Sequence, residues 1–403
     1  MSILRLTLLG IVIVVAWISL LPKIMPYTAL QPYSDEELRR FALTHGMKPI
    51  PKDEKALYRL IDSKENHVTK EKVALGKRLF FDPRLSKDNT RSCASCHMLS
   101  KNPHDKEAFY KDITHPQNKT DCMVCHIKDQ SGSDRLAGAV GIGSKEHPHH
   151  LNTLTILNAS LAKYQMWDAR SPSSLESVKM MITDPALMGL SQKEATKRID
   201  TVPAYKKAFK AAFRDGITFQ NIAKAIDAYQ RTLLTRSAYD RFLDGDDNAI
   251  SREAKRGLQD FIELGCKGCH TGITVGGQTI QKFPARNYNH IINVTGVFSP
   301  TLKGRDVAHF EFNFEPYRRF PFENKGGFLG RNEQQRFRVP ILRNVTKTSP
   351  YFHNGAIFDL RRAVYIMGKY QLSMELSDTQ IDEITAFLRS LEGEVVSTPK
   401  ELQ

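Results

Sequence analysis

Beyond residue 32, apolar positions recur along the chain at helical rather than alternating spacing. Ser34, with Glu37 three residues on, reads as a capping box opening a short helix that runs out at Gly46. Glu71 to Phe81 carries apolar side chains three and four apart and stops at Asp82-Pro83, where proline disfavours continuation. Thr218 caps a run with Ile222, Ile226 and Tyr229 on one face. Ser251 opens another, in which Leu258, Phe261 and Ile262 lead to Gly265. The last pattern starts at Ser377 with Gln380, presents Ile381, Ile384, Phe387, Leu388 and Leu391, and is ended by Gly393. Strand-like alternation is scarce, so the pattern predicts a mainly α protein. Asp240 to Asp247, containing Gly245, reads as a linker region, and the polar stretch at 101–145, which lacks periodicity, reads as an insertion.

One apolar run is of a different kind. Leu6 to Leu21, preceded by Arg5 and followed by Pro22-Lys23, is about 16 residues long, between a signal-peptide core and a short membrane span. The best cleavage site on offer, Tyr27-Thr28-Ala29, is poor. The segment at 1–30 is therefore expected to be an uncleaved membrane helix, with a removed signal peptide as the alternative.

The chain has 403 residues, enough for two domains and a terminal extra. Its 58 Lys and Arg against 44 Asp and Glu are spread throughout without a recognition motif, so the charge of +14 describes a solvated surface and does not imply nucleic acid. The six cysteines change the picture most. They occur only as Cys93 and Cys96 before His97, Cys122 and Cys125 before His126, and Cys266 and Cys269 before His270, leaving none for a disulfide framework. Two thiols at this spacing each add to one vinyl group of a haem, and the histidine that follows ligates the iron. A four-thiolate zinc site would account for two pairs at most and gives no reason for the histidines. A thioredoxin-like pair would occur once. Three covalent haem c groups are thus expected, with His97, His126 and His270 as proximal ligands. Such attachment takes place outside the cytoplasm, which puts the protein on the periplasmic side of the inner membrane, or soluble in the periplasm if the segment is cleaved. The expected domains are 31–240, carrying the first haem and the inserted second, and 241–403, carrying the third.

Further stretches carry a resemblance. Leu75 to Ser86, Trp167-Asp-Ala-Arg170, Gly276-Gly277, Val339 to Val345 and Pro350 to Gly355 are similar to segments of the bacterial di-haem cytochrome c peroxidases and of their relative that matures methylamine dehydrogenase. The resemblance covers 70–395. It implies two cytochrome c-like haem domains: the C-terminal one accepts electrons from a small periplasmic cytochrome, a cupredoxin or quinol, and the N-terminal one reduces hydrogen peroxide. It further implies Met367 as the axial thioether opposite His270, Trp167 on the electron path between haems, a calcium site at Asn152, Thr348 and Pro350, and a homodimer as the candidate assembly.

Two family positions are substituted. Where the family has the acid/base glutamate, this chain has Leu187, which cannot move a proton. Where it has a loop histidine that ligates the peroxidatic iron at rest, an ungapped count gives Ser144, with His147, His149 and His150 just downstream. The sixth ligand of the inserted haem stays open among these three, His104 and His115. The expected function is a haem peroxidase with altered active-site residues. The alternatives are an electron-transfer multihaem cytochrome on the same scaffold and a di-haem protein-modifying oxidase.

Overall fold

The computed structural model describes residues 32–99, 132–133, 151–285 and 320–396, together with 399 and 402. Several expected features lie outside the described residues: the apolar run at 6–21, the second haem-attachment unit with Cys122, Cys125 and His126, and Ser144. His104, His115, His147, His149 and His150 also lie outside them. Attachment of a haem at Cys122 and at Cys125, with His126 as its ligand, therefore stays an expectation from sequence. Among the described residues, no helix is long and apolar enough to cross a membrane.

The fold is mainly helical. In chain order the helices are α1 (Asp35–Thr44), α2 (Glu54–Ile61), α3 (Lys70–Phe80), α4 (Ser174–Thr183), α5 (Gln192–Asp200), α6 (Pro203–Ala212), α7 (Phe219–Arg231), α8 (Ala238–Leu243), α9 (Arg252–Glu263), α10 (Leu360–Met367) and α11 (Asp378–Ser390). Two short antiparallel sheets accompany them. In one, β1 (Thr235–Ser237) pairs with β4 (Gly393–Val395), and in the other β2 (Ile280–Lys282) pairs with β3 (Arg336–Arg338). The expected starts hold: Thr218, Ser251 and Ser377 each accept a first-turn amide, and capping boxes close at Ser34/Glu37 and Ser377/Gln380; Thr69 caps α3 in the same way.

One helix arrangement occurs twice. The helix before the first C-x-x-C-H unit, α3, packs on α7, and the helix before the third, α9, packs on α11. Each pair meets at a bare glycine. A Cβ on Gly76 would sit 1.8 Å from the Ala225 carbonyl oxygen, and one on Gly257 would sit 1.8 Å from that of Glu383. Around the first pair lies a core of Leu75, Leu79, Phe80, Ile222 and Ile226 with Tyr205 and Phe209 of α6. Around the second lies one of Leu258, Phe261, Ile262, Ile384, Phe387 and Leu388.

Two observations bear on the expected division. A first domain at 31–240 would place α1 with the first unit, yet Leu38, Ala42 and Met47 belong to the second core. The reason is polar as well as apolar: Lys255 pairs with Asp35, Arg39 with Asp247, and the Gly272 amide donates to Gly46 O at 3.1 Å. The expected linker at 240–247 begins with a buried anchor, because Asp240 lies inside α8 and holds both oxygens on Arg343 at 2.7 and 2.8 Å. The continuously exposed chain is only 244–248.

Replacing Gly257 by alanine forces α9 and α11 apart and is expected to lower the unfolding free energy by about 1–3 kcal/mol. Guanidinium titration measures this, and an unchanged midpoint would mean the two backbones do not touch there.

Candidate functional site

Both described C-x-x-C-H units take the same local form. Cys93–Ser95 and Cys266–Gly268 are single 3₁₀ turns, and the histidine amide then donates to the carbonyl of the first cysteine, at 2.9 Å for His97 and 3.0 Å for His270. The spacing therefore sets the imidazole one turn beyond the first thiol. Each unit lines a cavity. The first, of about 1260 Å³, is bounded by Cys93, Cys96 and His97, with Arg91, Met181, Leu187 and Met188. The second, of about 1510 Å³, is bounded by Cys266, Cys269 and His270, with Met367, Arg338 and Leu388.

These linings fit a covalently held haem. Burial pushes the Cys93 and Cys266 thiols up to about 12, so neither is a ready thiolate. A thioether, which has no proton to lose, suits such apolar surroundings. Burial also holds both imidazoles neutral, as an iron ligand must be: His97 is lowered, and His270 falls to about 4. His97 Nδ1 lies 3.2 Å from Gly132 O, which leaves Nε2 as its ligating nitrogen. His270 Nδ1 is buried among the carbonyls of Val275 and Pro340 without a well-formed hydrogen bond.

The two cavities share a wall. Trp167, together with Asn152, Thr153, Leu154 and Thr155, lines both. The indole is set by its backbone: Met166 and Ala169 on either side have φ of 66° and 58°, and Gln165 N donates to Ser171 O, closing the turn. Its Nε1–H donates to Asn152 O at 2.8 Å. Asn152 is tied in turn to the loop after Pro350, its amide donating to His353 O at 2.8 Å and its side chain to Pro350 O at 2.5 Å. Asn152 Oδ1 is buried without a partner, and Thr348 and Pro350 line the second cavity beside it.

The residues expected at the peroxide site are thus placed unequally. Leu187 is at the first cavity, while Asp184, the nearest carboxylate in sequence, is not among its lining residues. Asp184 accepts the Ala186 amide at 2.8 Å and faces Arg170 at 3.8 Å. Among the described residues lining that cavity there is no carboxylate; its charged groups are Arg91 and Arg170. Met367, at the end of α10, lines the cavity of His270, as the motif leads one to expect.

Sequence reading missed two residues. His353 is 2% exposed and stacks on Phe337 with ring centres 4.7 Å apart, among Phe320, Phe322 and Phe328. Its Nε2 donates to Asn324 Oδ1 at 2.7 Å. Arg338 is likewise buried, in the wall of the second cavity. The first lies inside the Pro350 to Gly355 stretch that carries the resemblance, and the Phe-rich run at 320–328 is a further signal for it; nothing marks the second.

Two C-x-x-C-H cavities that fit covalent haem and share a tryptophan wall point to a c-type cytochrome oxidoreductase. Comparison with known proteins narrows this. The family model described as "Di-haem cytochrome c peroxidase" matches residues 70–120 and 106–248. The chain is 31% identical to cytochrome c551 peroxidase of Pseudomonas aeruginosa over 86% of its own length and 84% of the relative's. It is 30% identical to the methylamine utilization protein MauG of Methylorubrum extorquens, over 82% and 81%. In fold it is similar to a MauG-like protein associated with microbial copper homeostasis, with a TM-score of 0.57 at 20% identity over 85% of this chain and 95% of that one. A second match is the diheme peroxidase BthA of Burkholderia thailandensis, with a TM-score of 0.52 at 20% identity over 80% and 86%. The chain belongs to the di-haem cytochrome c peroxidase family, and it is an oxidoreductase carrying covalently bound haem c.

The neutral His353 supplies a pH test. Burial lowers it from 6.5 to about 4. Its contribution is therefore fully present above pH 6.5 and is lost as pH falls towards 4, where the unfolded chain binds the proton first. The loss amounts to at most about 3 kcal/mol. Unfolding free energy should fall more steeply across this window in the wild type than in His353→Phe. Parallel curves would show that the imidazole is not held neutral.

Proposed function

We propose that the protein is a periplasmic haem peroxidase with modified peroxide chemistry, taking electrons at the second cavity and admitting hydrogen peroxide to the first. The observation that carries this reading is the Trp167 ring, which lines both haem cavities. Haem at the two sites would supply redox-active iron, for electron uptake at the second and peroxide reduction at the first. The chain's own residues divide the remaining work. His270 and Met367 would hold one iron, through a nitrogen and a soft thioether that favours the reduced metal and suits electron uptake. His97 would hold the other. Asn152 fixes the indole at the wall of the two cavities through its carbonyl. In the first cavity Leu187 takes the place of a proton-transferring group, so that O–O cleavage lacks a positioned acid.

The domain division at 31–240 and 241–403 is part of the same proposal, with α1 reassigned to the second unit. It is supported by the repeated helix–glycine–helix arrangement ahead of each unit. The third haem rests on the spacing of Cys122, Cys125 and His126, and the membrane anchor and inner-membrane location rest on the apolar run at 6–21. Calcium at Asn152, Thr348 and Pro350 is supported by the orphaned Asn152 Oδ1. Turning that amide over would present oxygen where nitrogen now donates to Pro350 O, giving two hard oxygen ligands on one cation. The relatives' names point to a small c-type cytochrome as donor, with a cupredoxin or quinol in reserve.

A second reading, an electron-transfer cytochrome without peroxidase activity, is favoured by Leu187 and the carboxylate-free described lining. Stopped-flow peroxide reduction decides between them. Wild-type rates no better than free haem would remove the peroxidase reading. Leu187→Glu should raise the rate by about 10²–10⁴-fold, the usual contribution of a positioned acid/base. Independently, Trp167→Leu should slow electron transfer between the two haems while both remain attached, read by rapid mixing with a one-electron donor. An unaltered rate would exclude the indole from the path.

A further inference from the structure

Arg338 ends β3 and is 2% exposed. Its backbone N–H donates to Trp167 O at 2.8 Å, and Nη1 reaches only Tyr164 O, at 3.4 Å. Among the described residues Nε is buried without a hydrogen-bond partner and no carboxylate pairs with the guanidinium. Burial lowers its pKa, to about 10. It therefore stays charged at neutral pH. Arg343, five residues on in the sequence, is also fully buried but has both oxygens of Asp240. A desolvated guanidinium without an anion costs several kcal/mol, and its planar fork suits a carboxylate. Arg338 lines the cavity of Cys266, Cys269, His270 and Met367. The carboxylates that a haem brings to such a cavity are its propionates.

We propose that Arg338 is the counter-ion of a propionate on the haem held by His270, and that this pairing sets the haem's potential and its placement against Trp167. The inference rests on the reading that a haem occupies the second cavity. A fixed cation beside the ring favours the reduced iron, which carries one positive charge fewer than the oxidised. The same side chain and its backbone hold the Trp167 turn, so one residue ties the electron-accepting site to the wall it shares with the first cavity.

The test uses the full haem-loaded protein with Arg338→Gln and Arg338→Lys. Haem content and the thioether-to-iron charge-transfer band report whether the second cavity holds a haem with Met367 bound. Their absence from the wild type would remove the underlying reading. Redox titration then tests the pairing. Arg338→Gln should lower the equilibrium constant for reduction at least tenfold, about 59 mV for a one-electron couple, with haem content and band retained. Arg338→Lys should keep most of the wild-type value. An unchanged potential in a fully loaded Arg338→Gln protein overturns the proposal. If the glutamine variant takes up no haem, the lysine variant decides. Uptake by lysine shows that the charge is needed, and equal failure of both overturns the proposal.

Discussion

The buried pairing of Arg343 with Asp240 holds the structure's distant segments in register. Both side chains are fully buried, a setting in which two charges need extensive hydrogen bonding, and four of the five guanidinium protons find acceptors. Asp240 also accepts the amides of Ile50 and Ser237, and Arg343 donates to the carbonyls of Ile273 and Lys48. One ion pair therefore ties together the chain ahead of the first haem unit, the start of α8, the loop behind His270 and the segment that follows β3. Beside it Asn158 and Asn344 both donate to Thr235, and the Gly393 amide closes on Asn344. Hydrophobic burial builds a core on each side, and this polar seam holds segments distant in sequence together.

At that wall the two cavities have been given opposite characters. The second is lined by the thioether of Met367, the neutral His353 nested in phenyl rings and Arg338, a surrounding suited to the proposed electron uptake. The first is lined by leucine and methionine where related chemistry calls for a proton carrier. The backbone around each described C-x-x-C-H unit is nearly the same, so the proposed division of labour resides in the side chains that face the unit. Cofactor attachment did not need to change for the chemistry to do so.

Signals confined to a few residues are readable from sequence. Caps at Thr218, Ser251 and Ser377, and the histidine one turn past Cys93 or Cys266, depend on hydrogen bonds spanning three or four positions. Trp167, Leu187 and Met367 are legible through motifs around them. What escapes depends on partners far along the chain. Asp240 reads as linker because its partner is 103 residues away. α1 reads as part of the first unit because nothing near Leu38 or Ala42 in sequence discloses that α9 lies against them. Arg338 escapes for a related reason: an arginine in a short strand gives no local sign of burial, and its burial is a property of the cavity it completes.

Gly76 and Gly257 bear on how such a protein can vary. At each, a helix touches the bare backbone of its partner, so the smallest available replacement is already too large. Both lie on the helix immediately ahead of a haem unit. A side chain there would act on stability rather than on chemistry, whereas Leu187 is under no such packing constraint from a backbone contact. In a set of divergent descendants, the positions without a side chain would be a steadier marker of ancestry than the residues that face the reaction.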